Sequence, residues 1–163
     1  MKTLLILRHG KSSWKDGGLA DHDRPLKKRG KRDADRIGAL LRYEGIIPDT
    51  IFCSSAVRAK DTALIVAESC GFDGEIILDR SLYHGYSSDF IELLNSLGNQ
   101  EDIVMIVGHN PGLEEFLSDL IDGYEWLPTT SLAQVILDIG NWAELGGDTQ
   151  GNLLNIWRPR ELR

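Results

Sequence analysis

Two histidines and two arginines follow short apolar runs of this chain, and they are Arg8, His9, Arg58 and His109. Arginine keeps its charge near neutral pH, and its planar fork can donate two parallel hydrogen bonds to phosphate oxygens. A neutral imidazole adds a lone pair that can attack phosphorus. The four side chains together predict a site that binds a phosphoryl group and transfers it to a histidine.

The two imidazoles are predicted to have different roles. One attacks phosphorus, and the other donates to the transferring phosphoryl group, where negative charge develops. Neighbouring arginines help to keep one ring neutral, because a like charge disfavours protonation. A bound phosphate dianion has the opposite effect on the second ring.

The apolar segments indicate strands that alternate with helices. Strands are predicted at residues 3–7, 50–53, 75–78, 103–107, 132–137 and 152–157. Apolar residues at helical spacing predict helices that end near Gly45, Gly71 and Gly98. A further helix is predicted after residue 107, with Asn110 as its cap and Pro111 in its first turn.

This order predicts an α/β fold, namely a three-layer sandwich with a mostly parallel central sheet and helices on both faces. The last two strands are predicted to add an edge to that sheet. Ligands of open parallel sheets bind beyond the carboxyl ends of the strands. The segments 8–10, 54–58 and 108–110 all lie there, so their side chains are expected to converge.

Composition limits the classes of protein that remain. The 163 residues have a formal net charge of −7, which argues against broad attraction to nucleic acid or to an anionic membrane. One domain spanning 1–163 is expected, and no apolar run exceeds five residues. Cys53 and Cys70 lack a metal-type spacing and are interpreted as reduced core residues of a cytoplasmic protein.

Several motifs, taken together, resemble the histidine phosphatase superfamily, and specifically its short SixA-type phosphohistidine phosphatase branch. The matching segments are LRHGKSSW at 7–14, DRPL at 23–26, SSAVRA at 54–59, VGHNPGL at 107–113 and PTTS at 128–131. The resemblance covers nearly the whole chain. It implies a phosphoglycerate mutase-like fold and a phosphatase that works without a metal or cofactor.

The resemblance also implies residue roles. His9 is expected to carry the phosphoryl group covalently, with Arg8, Arg58 and His109 around it. The rim of the phosphate or substrate site is expected to include Gly10, Lys11, Ser12 and Arg24. The expected substrate is a phosphohistidine-containing protein or a small phosphorylated molecule, and Trp14 is a candidate contact for a protein substrate.

Two departures from the wider superfamily concern the leaving group. Residues 79–89 contain no glutamate, whereas mutase-like members have a glutamate proton donor there, and Asn110 stands where acid phosphatases have aspartate. An alkoxide leaving group needs a positioned acid, but an imidazole can be protonated before the P–N bond breaks. Phosphoramidates are therefore the expected substrates. His84 is an alternative proton donor or an ordinary loop residue, and His22 is assigned to a solvated loop.

Other functions stay open from the sequence. The same superfamily includes phosphomonoesterases and mutases, and a module that binds phosphorylated ligands without turnover would need only the arginines. A metal-dependent phosphoesterase is a further alternative, with a ligand set drawn from His9, His22, Asp23, His84 and His109.

Overall fold

The computed structural model describes residues 1–162, in which six strands form one mixed sheet. The strands are β1 (Lys2–Arg8), β2 (Thr50–Ser54), β3 (Ile76–Asp79), β4 (Ile103–Gly108), β5 (Leu132–Leu137) and β6 (Gly151–Trp157). The α-helices are α1 (Lys28–Glu44), α2 (Val57–Cys70), α3 (Ser87–Asn95) and α4 (Gly112–Ile121). Each end of the six strands lies within one residue of the position predicted from the sequence.

The strand order in the sheet is β3-β2-β4-β1-β5-β6. The pairs β3–β2, β2–β4 and β4–β1 are parallel, whereas β5 pairs antiparallel with β1 and β6 with β5. The four parallel strands are connected through helices, as parallel neighbours require. The predicted mostly parallel sheet with a late edge is confirmed.

Successive side chains of β1 lie on opposite faces of the sheet. Leu4 and Ile6 are buried in a core with residues of α3 and α4, whereas Leu5 and Leu7 are buried in a second core with residues of α1 and α2. This two-sided burial explains the uninterrupted apolar run, because successive side chains of a strand point to opposite faces. The predicted three-layer sandwich is confirmed.

The predicted start of α4 is wrong, because the helix begins one residue later than expected. Pro111 is the residue that precedes the helix, and Gly112 is its first residue. The Asn110 side chain still accepts a hydrogen bond from the Glu114 amide at 3.3 Å, but its amide group also donates to the Leu127 carbonyl at 2.9 Å. Asn110 therefore holds two loops together in addition to helping the helix begin.

A close contact between two glycines fixes the loop that follows β1. A Cβ at Gly10 would lie 3.1 Å from the Gly30 Cα, and a Cβ at Gly30 would collide with the Lys11 carbonyl. Glycine at both positions lets this loop lie directly on the first turn of α1. The residue between β1 and this contact is His9, so its backbone position is determined from both sides.

Neither cysteine belongs to the candidate site. Cys53 and Cys70 are both buried and free, as predicted, and burial raises the pKa of the Cys53 thiol. Trp157 is partly buried and packs against the core on the α1 side. No helix within residues 1–162 has the length and apolarity needed to cross a membrane.

Candidate active site

Three neighbouring parallel strands end at the same edge of the sheet. In register, Arg8 of β1 faces Gly108 of β4, and Cys53 of β2 faces Val107 of β4. The next residues along β1 and β4 are therefore His9 and His109, whose ring centroids lie 4.9 Å apart. The expected convergence at the carboxyl ends of the strands is present in the structure.

The hydrogen bond of the His9 ring fixes its tautomer. Nδ1 lies 2.7 Å from the Gly10 carbonyl oxygen, and both groups are buried. Because a carbonyl can only accept, Nδ1 carries the proton and donates it. The free lone pair of the neutral ring is then at Nε2, which is the atom available to attack an electrophile.

The pKa of His9 is lowered to about 4, mainly by burial and also by the positive charges of Arg58 and Arg8. The Gly10 hydrogen bond opposes this effect without cancelling it. At neutral pH the ring is therefore unprotonated, which a nucleophile requires.

The His109 ring is held by two partners. Its Nε2 lies 2.7 Å from Ser54 Oγ, and its Nδ1 lies 3.4 Å from an Arg58 Nη. A guanidinium has no lone pair to offer, so Nδ1 accepts and Nε2–H donates to Ser54. The pKa of His109 is lowered to about 3, mainly by burial and also by His9 and Arg58. A bound phosphate dianion favours protonation of Nδ1, which then donates to it.

Both rings are expected to stay neutral from pH 8 down to about pH 5, because the pKa values are about 4 for His9 and about 3 for His109. NMR titration of the ring nitrogens measures this directly, with a histidine in an unfolded peptide near pKa 6.5 as the reference. Arg58→Ala should raise the pKa of His9, since a like charge is removed. A His9 ring that titrates near 6.5 in the wild type contradicts this prediction.

The same depressed pKa values set the direction in which stability changes with pH. Below about pH 6.5 the unfolded chain binds protons that folded His9 and His109 do not. Their contribution to the free energy of unfolding is therefore fully present above that pH and is lost as the pH falls through about 4 for His9 and about 3 for His109. Urea unfolding at several pH values, compared with His9→Gln, tests the sign.

Arg58 is paired with a loop residue that the sequence analysis did not single out. Its two Nη atoms donate to the Asp21 carbonyl at 2.7 Å and to Asp21 Oδ2 at 3.0 Å. The Asp21 carboxylate also accepts from Tyr83 Oη at 2.6 Å and from Arg24. These donors, first Tyr83 and then the arginines, hold the pKa of Asp21 well below its usual range. Asp21 therefore stays charged and orients Arg58.

Arg8 is close enough to His9 for its charge to lower the pKa of that ring, and its side chain is anchored by a backbone carbonyl. One Nη donates to the Leu127 carbonyl at 3.0 Å, and burial lowers the pKa of Arg8. The Thr130 amide lies between the Arg8 and His9 carbonyls, at 3.1 and 3.0 Å. Thr130 adopts the left-handed region with φ 62°, a strained conformation for a β-branched residue that is often associated with functional sites.

The predicted rim residues have different surroundings from one another. The Gly10 amide donates to Thr62 Oγ1 at 2.9 Å, so it is not available to a phosphate, although its carbonyl orients His9. Ser12 is buried, and its hydroxyl accepts from Arg24 at 2.7 Å. Lys11 is exposed. Gly10 and Ser12 thus position other side chains.

A cleft of about 170 Å³ adjoins His109 and lies between the loops that follow β3 and β4. Its walls include Tyr83, His84, Tyr86 and Glu115. His84 is exposed, and its ring lies 4.1 Å from that of Tyr83. The cleft lies beside His109, and Glu115 is a carboxylate on its wall that the sequence analysis missed.

His22 lies in the segment between β1 and α1 with its side chain 34% exposed, and it also makes specific contacts there. Its Nε2 lies 2.9 Å from Ser55 Oγ, and its ring contacts Tyr83 edge-on at a centroid distance of 4.9 Å. The residues that the sequence analysis missed are Asp21, Tyr83 and Glu115, which no matching segment contains. Ser54 and Thr130 lie in the matching segments 54–59 and 128–131, but the sequence assigned them no individual role.

Histidine and acidic side chains of residues 1–162 form no group of three or more that could hold a metal ion. The side chains of the alternative metal-ligand set therefore do not form such a group among the described residues. That set is His9, His22, Asp23, His84 and His109. These side chains instead pair with hydroxyl, carbonyl and guanidinium groups of the protein where a partner is present.

Residues 4–83 match the family model of the histidine phosphatase superfamily (branch 1). An uncharacterized protein of Mycobacterium tuberculosis is 32% identical over 152 residues, which cover 85% of this chain and 91% of that protein. A candidate SixA phosphohistidine phosphatase of Agrobacterium tumefaciens has a similar structure, with a TM-score of 0.80, 26% identity and coverage of 97% and 99% of the two chains.

A second solved structure is that of the protein histidine phosphatase SixA complexed with tungstate. Its TM-score to this chain is 0.85, its identity is 20%, and the match covers 99% of each chain. At this identity the similarity concerns the fold.

Proposed function

Because the chain belongs to the histidine phosphatase superfamily, we propose that it hydrolyses phosphohistidine by transferring the phosphoryl group to Nε2 of His9. The observation that carries the proposal is the Nδ1–H hydrogen bond to the Gly10 carbonyl, which leaves the lone pair of a neutral, buried ring at Nε2. Arg58 and His109 lie beside this ring.

The reaction has two displacement steps at phosphorus. In the first, the Nε2 lone pair forms a P–N bond while the P–N bond of the substrate breaks, and its electron pair goes to the leaving imidazole nitrogen. Prior protonation lets that imidazole leave as a neutral ring. In the second step, water attacks phosphorus, loses a proton, and releases inorganic phosphate and neutral His9.

The surrounding charges stabilise the transferring phosphoryl group. Arg58 lies next to His109, and the charges of both Arg58 and Arg8 are close enough to His9 to lower the pKa of its ring, so two guanidinium groups are available near the reacting position. The Nε atoms of both arginines are buried and have no partner within residues 1–162. Phosphoryl oxygens are suitable acceptors for such groups. The similar SixA structure is complexed with tungstate, a tetrahedral oxyanion, which supports oxyanion binding by a protein of this fold.

The environment of the leaving group favours phosphohistidine over phosphate esters. The Asp21 carboxylate is held ionised, so it cannot supply a proton. His84 and Glu115 are at the wall of the adjoining cleft rather than bonded to either buried histidine. An imidazole that carries its own proton needs no fixed acid, whereas an alkoxide does.

A direct comparison of substrates tests this function. Purified protein with EDTA should hydrolyse a phosphohistidine peptide with a kcat/KM about 100-fold or more above that for phosphoserine or p-nitrophenyl phosphate, the size of effect that a missing general acid produces. Equal rates would refute the preference for phosphohistidine. Loss of activity with EDTA that Zn²⁺ or Mg²⁺ restores would favour a metal-dependent reaction, and phosphate transfer to an added alcohol would favour a mutase.

A further inference from the structure

Positive charge is concentrated beside the candidate active site. Seven of the 18 lysines and arginines lie within residues 24–36, and they are Arg24, Lys27, Lys28, Arg29, Lys31, Arg32 and Arg36. The whole chain has a formal charge of −7. A local basic region in an acidic protein can attract an anionic partner to one place on the surface.

The arginines and lysines of this region differ in their partners. Arg29, Arg32 and Arg36 all lie within 4.0 Å of the buried Asp33 carboxylate. Lys28 and Lys31 are exposed, and neither forms an ion pair with a residue of the described chain, 1–162. The same holds for Lys15 and Lys27. The lysines therefore keep their charges available to another molecule.

Helix stability does not explain these lysines. The first turn of α1 contains no acidic residue, and Lys27 precedes the helix without a side-chain capping bond. The positive end of the helix dipole lies there, so lysines at this end are unfavourable for the helix. The lysine charges therefore lower the stability of α1, and a role in binding another molecule would explain their presence there.

The lysines line a groove that is joined to the loop following His9. The groove has a volume of about 550 Å³, and its walls include Ser13, Lys15, Leu26, Lys27, Lys28 and Lys31. Backbone hydrogen bonds from Lys27 to Lys11 and from Ser13 to Pro25, both 2.8 Å, tie the two walls together. The groove thus adjoins the loop that follows His9.

An aromatic side chain stands at the same place. The Arg24 guanidinium carbon lies 3.4 Å from the Trp14 ring centroid, while the Trp14 side chain is 70% exposed. Arg24 is itself buried and bonded to Ser12 and Asp21. One face of the indole is therefore held by a fixed guanidinium, and the ring is a pre-positioned contact of the kind that anchors protein partners.

We propose that the lysine surface, defined as Trp14, Lys15, Lys27, Lys28 and Lys31, binds an acidic segment of the protein that carries the phosphorylated histidine. This inference rests on the proposed function, because the acidic segment belongs to the protein whose phosphohistidine reacts at His9. The loop that follows His9 contributes Trp14 and Lys15 to the surface, so acidic residues close in sequence to the phosphohistidine are the expected contacts. A nucleic acid or a vesicle would also meet the remaining acidic surface, which repels it.

The test uses two phosphohistidine peptides, one with glutamates on both sides and one with glutamines. Wild type should hydrolyse the glutamate peptide with a kcat/KM about fivefold higher, and about 0.5 M NaCl should remove the difference. Lys28→Gln/Lys31→Gln should remove it at low salt, while phosphoramidate hydrolysis stays unchanged. Arg42→Gln/Lys60→Gln, which removes the same charge from exposed sites elsewhere, should keep it.

A binding measurement separates this inference from the proposed function. Fluorescence anisotropy of the unphosphorylated glutamate peptide should show weaker binding to Lys28→Gln/Lys31→Gln and to Trp14→Ala than to wild type or to Tyr43→Ala. If the two variants bind the peptide more weakly but the wild type hydrolyses no phosphohistidine, the proposed function is refuted and the lysine surface is still supported as a binding site. Equal kcat/KM for both peptides in an active wild type overturns the surface. Tighter lysine-dependent binding of duplex DNA or of phosphatidylserine vesicles overturns its assignment to a protein segment.

Discussion

His9→Ala should lose at least about 10⁴-fold in kcat for phosphohistidine hydrolysis, because the atom that forms the covalent bond is removed. In the structure no other imidazole has the same arrangement. His109 donates through Nε2 to Ser54, and its Nδ1 faces the Arg58 guanidinium. Rapid acid-free quenching, followed by treatment with acid, should detect an acid-labile phosphoenzyme in the wild type and none in His9→Ala.

His109→Ala is the matched control for the nucleophile. It removes the neighbouring ring, 4.9 Å away, but leaves the His9–Gly10 hydrogen bond intact. It should slow turnover by about 10²- to 10³-fold, the effect of removing one donor to the developing charge, and still form phosphoenzyme. A phosphoenzyme on His9→Ala, or its absence from the wild type during turnover, would rule out covalent transfer to His9.

Arg58→Ala should lower kcat/KM by about 10³-fold, because a guanidinium that balances the transferring phosphoryl group contributes at least this much in related chemistry. Both binding and rate should suffer, since the role proposed for the buried Arg58 is to bind the substrate phosphate as well as the transition state. Steady-state kinetics with a phosphohistidine peptide separate the two effects. Arg58→Lys should recover only part of the loss, because it keeps the charge but not the fork.

The Asp21 pair offers a sharper control for Arg58. Removing the arginine leaves the Asp21 carboxylate near the reacting group without one of its partners. If that stray negative charge caused the loss, Arg58→Ala/Asp21→Asn would regain most of the activity. We expect the double variant to remain within about tenfold of Arg58→Ala, which would assign the loss to the missing guanidinium.

The order of elements and the four central residues could be predicted from the sequence. Apolar runs and glycine stops specify strands and helices through short-range patterns, and parallel strands bring their carboxyl ends to one edge of the sheet. Arg8 ends β1, His9 and His109 directly follow β1 and β4, and Arg58 lies in the first turn of α2. Their convergence therefore follows from topology alone, without knowledge of any side-chain contact.

Which partner holds each of these residues was decided only by the tertiary structure. Ser54 orients His109, Thr62 engages the Gly10 amide, and Asp21 binds Arg58 from a loop 37 positions earlier. Such pairs join segments with no periodic relation, so a single sequence carries no signal that matches one to the other. The protonation states follow the same rule, since the low pKa values of His9 and His109 arise mainly from burial, which exists only once the chain has folded.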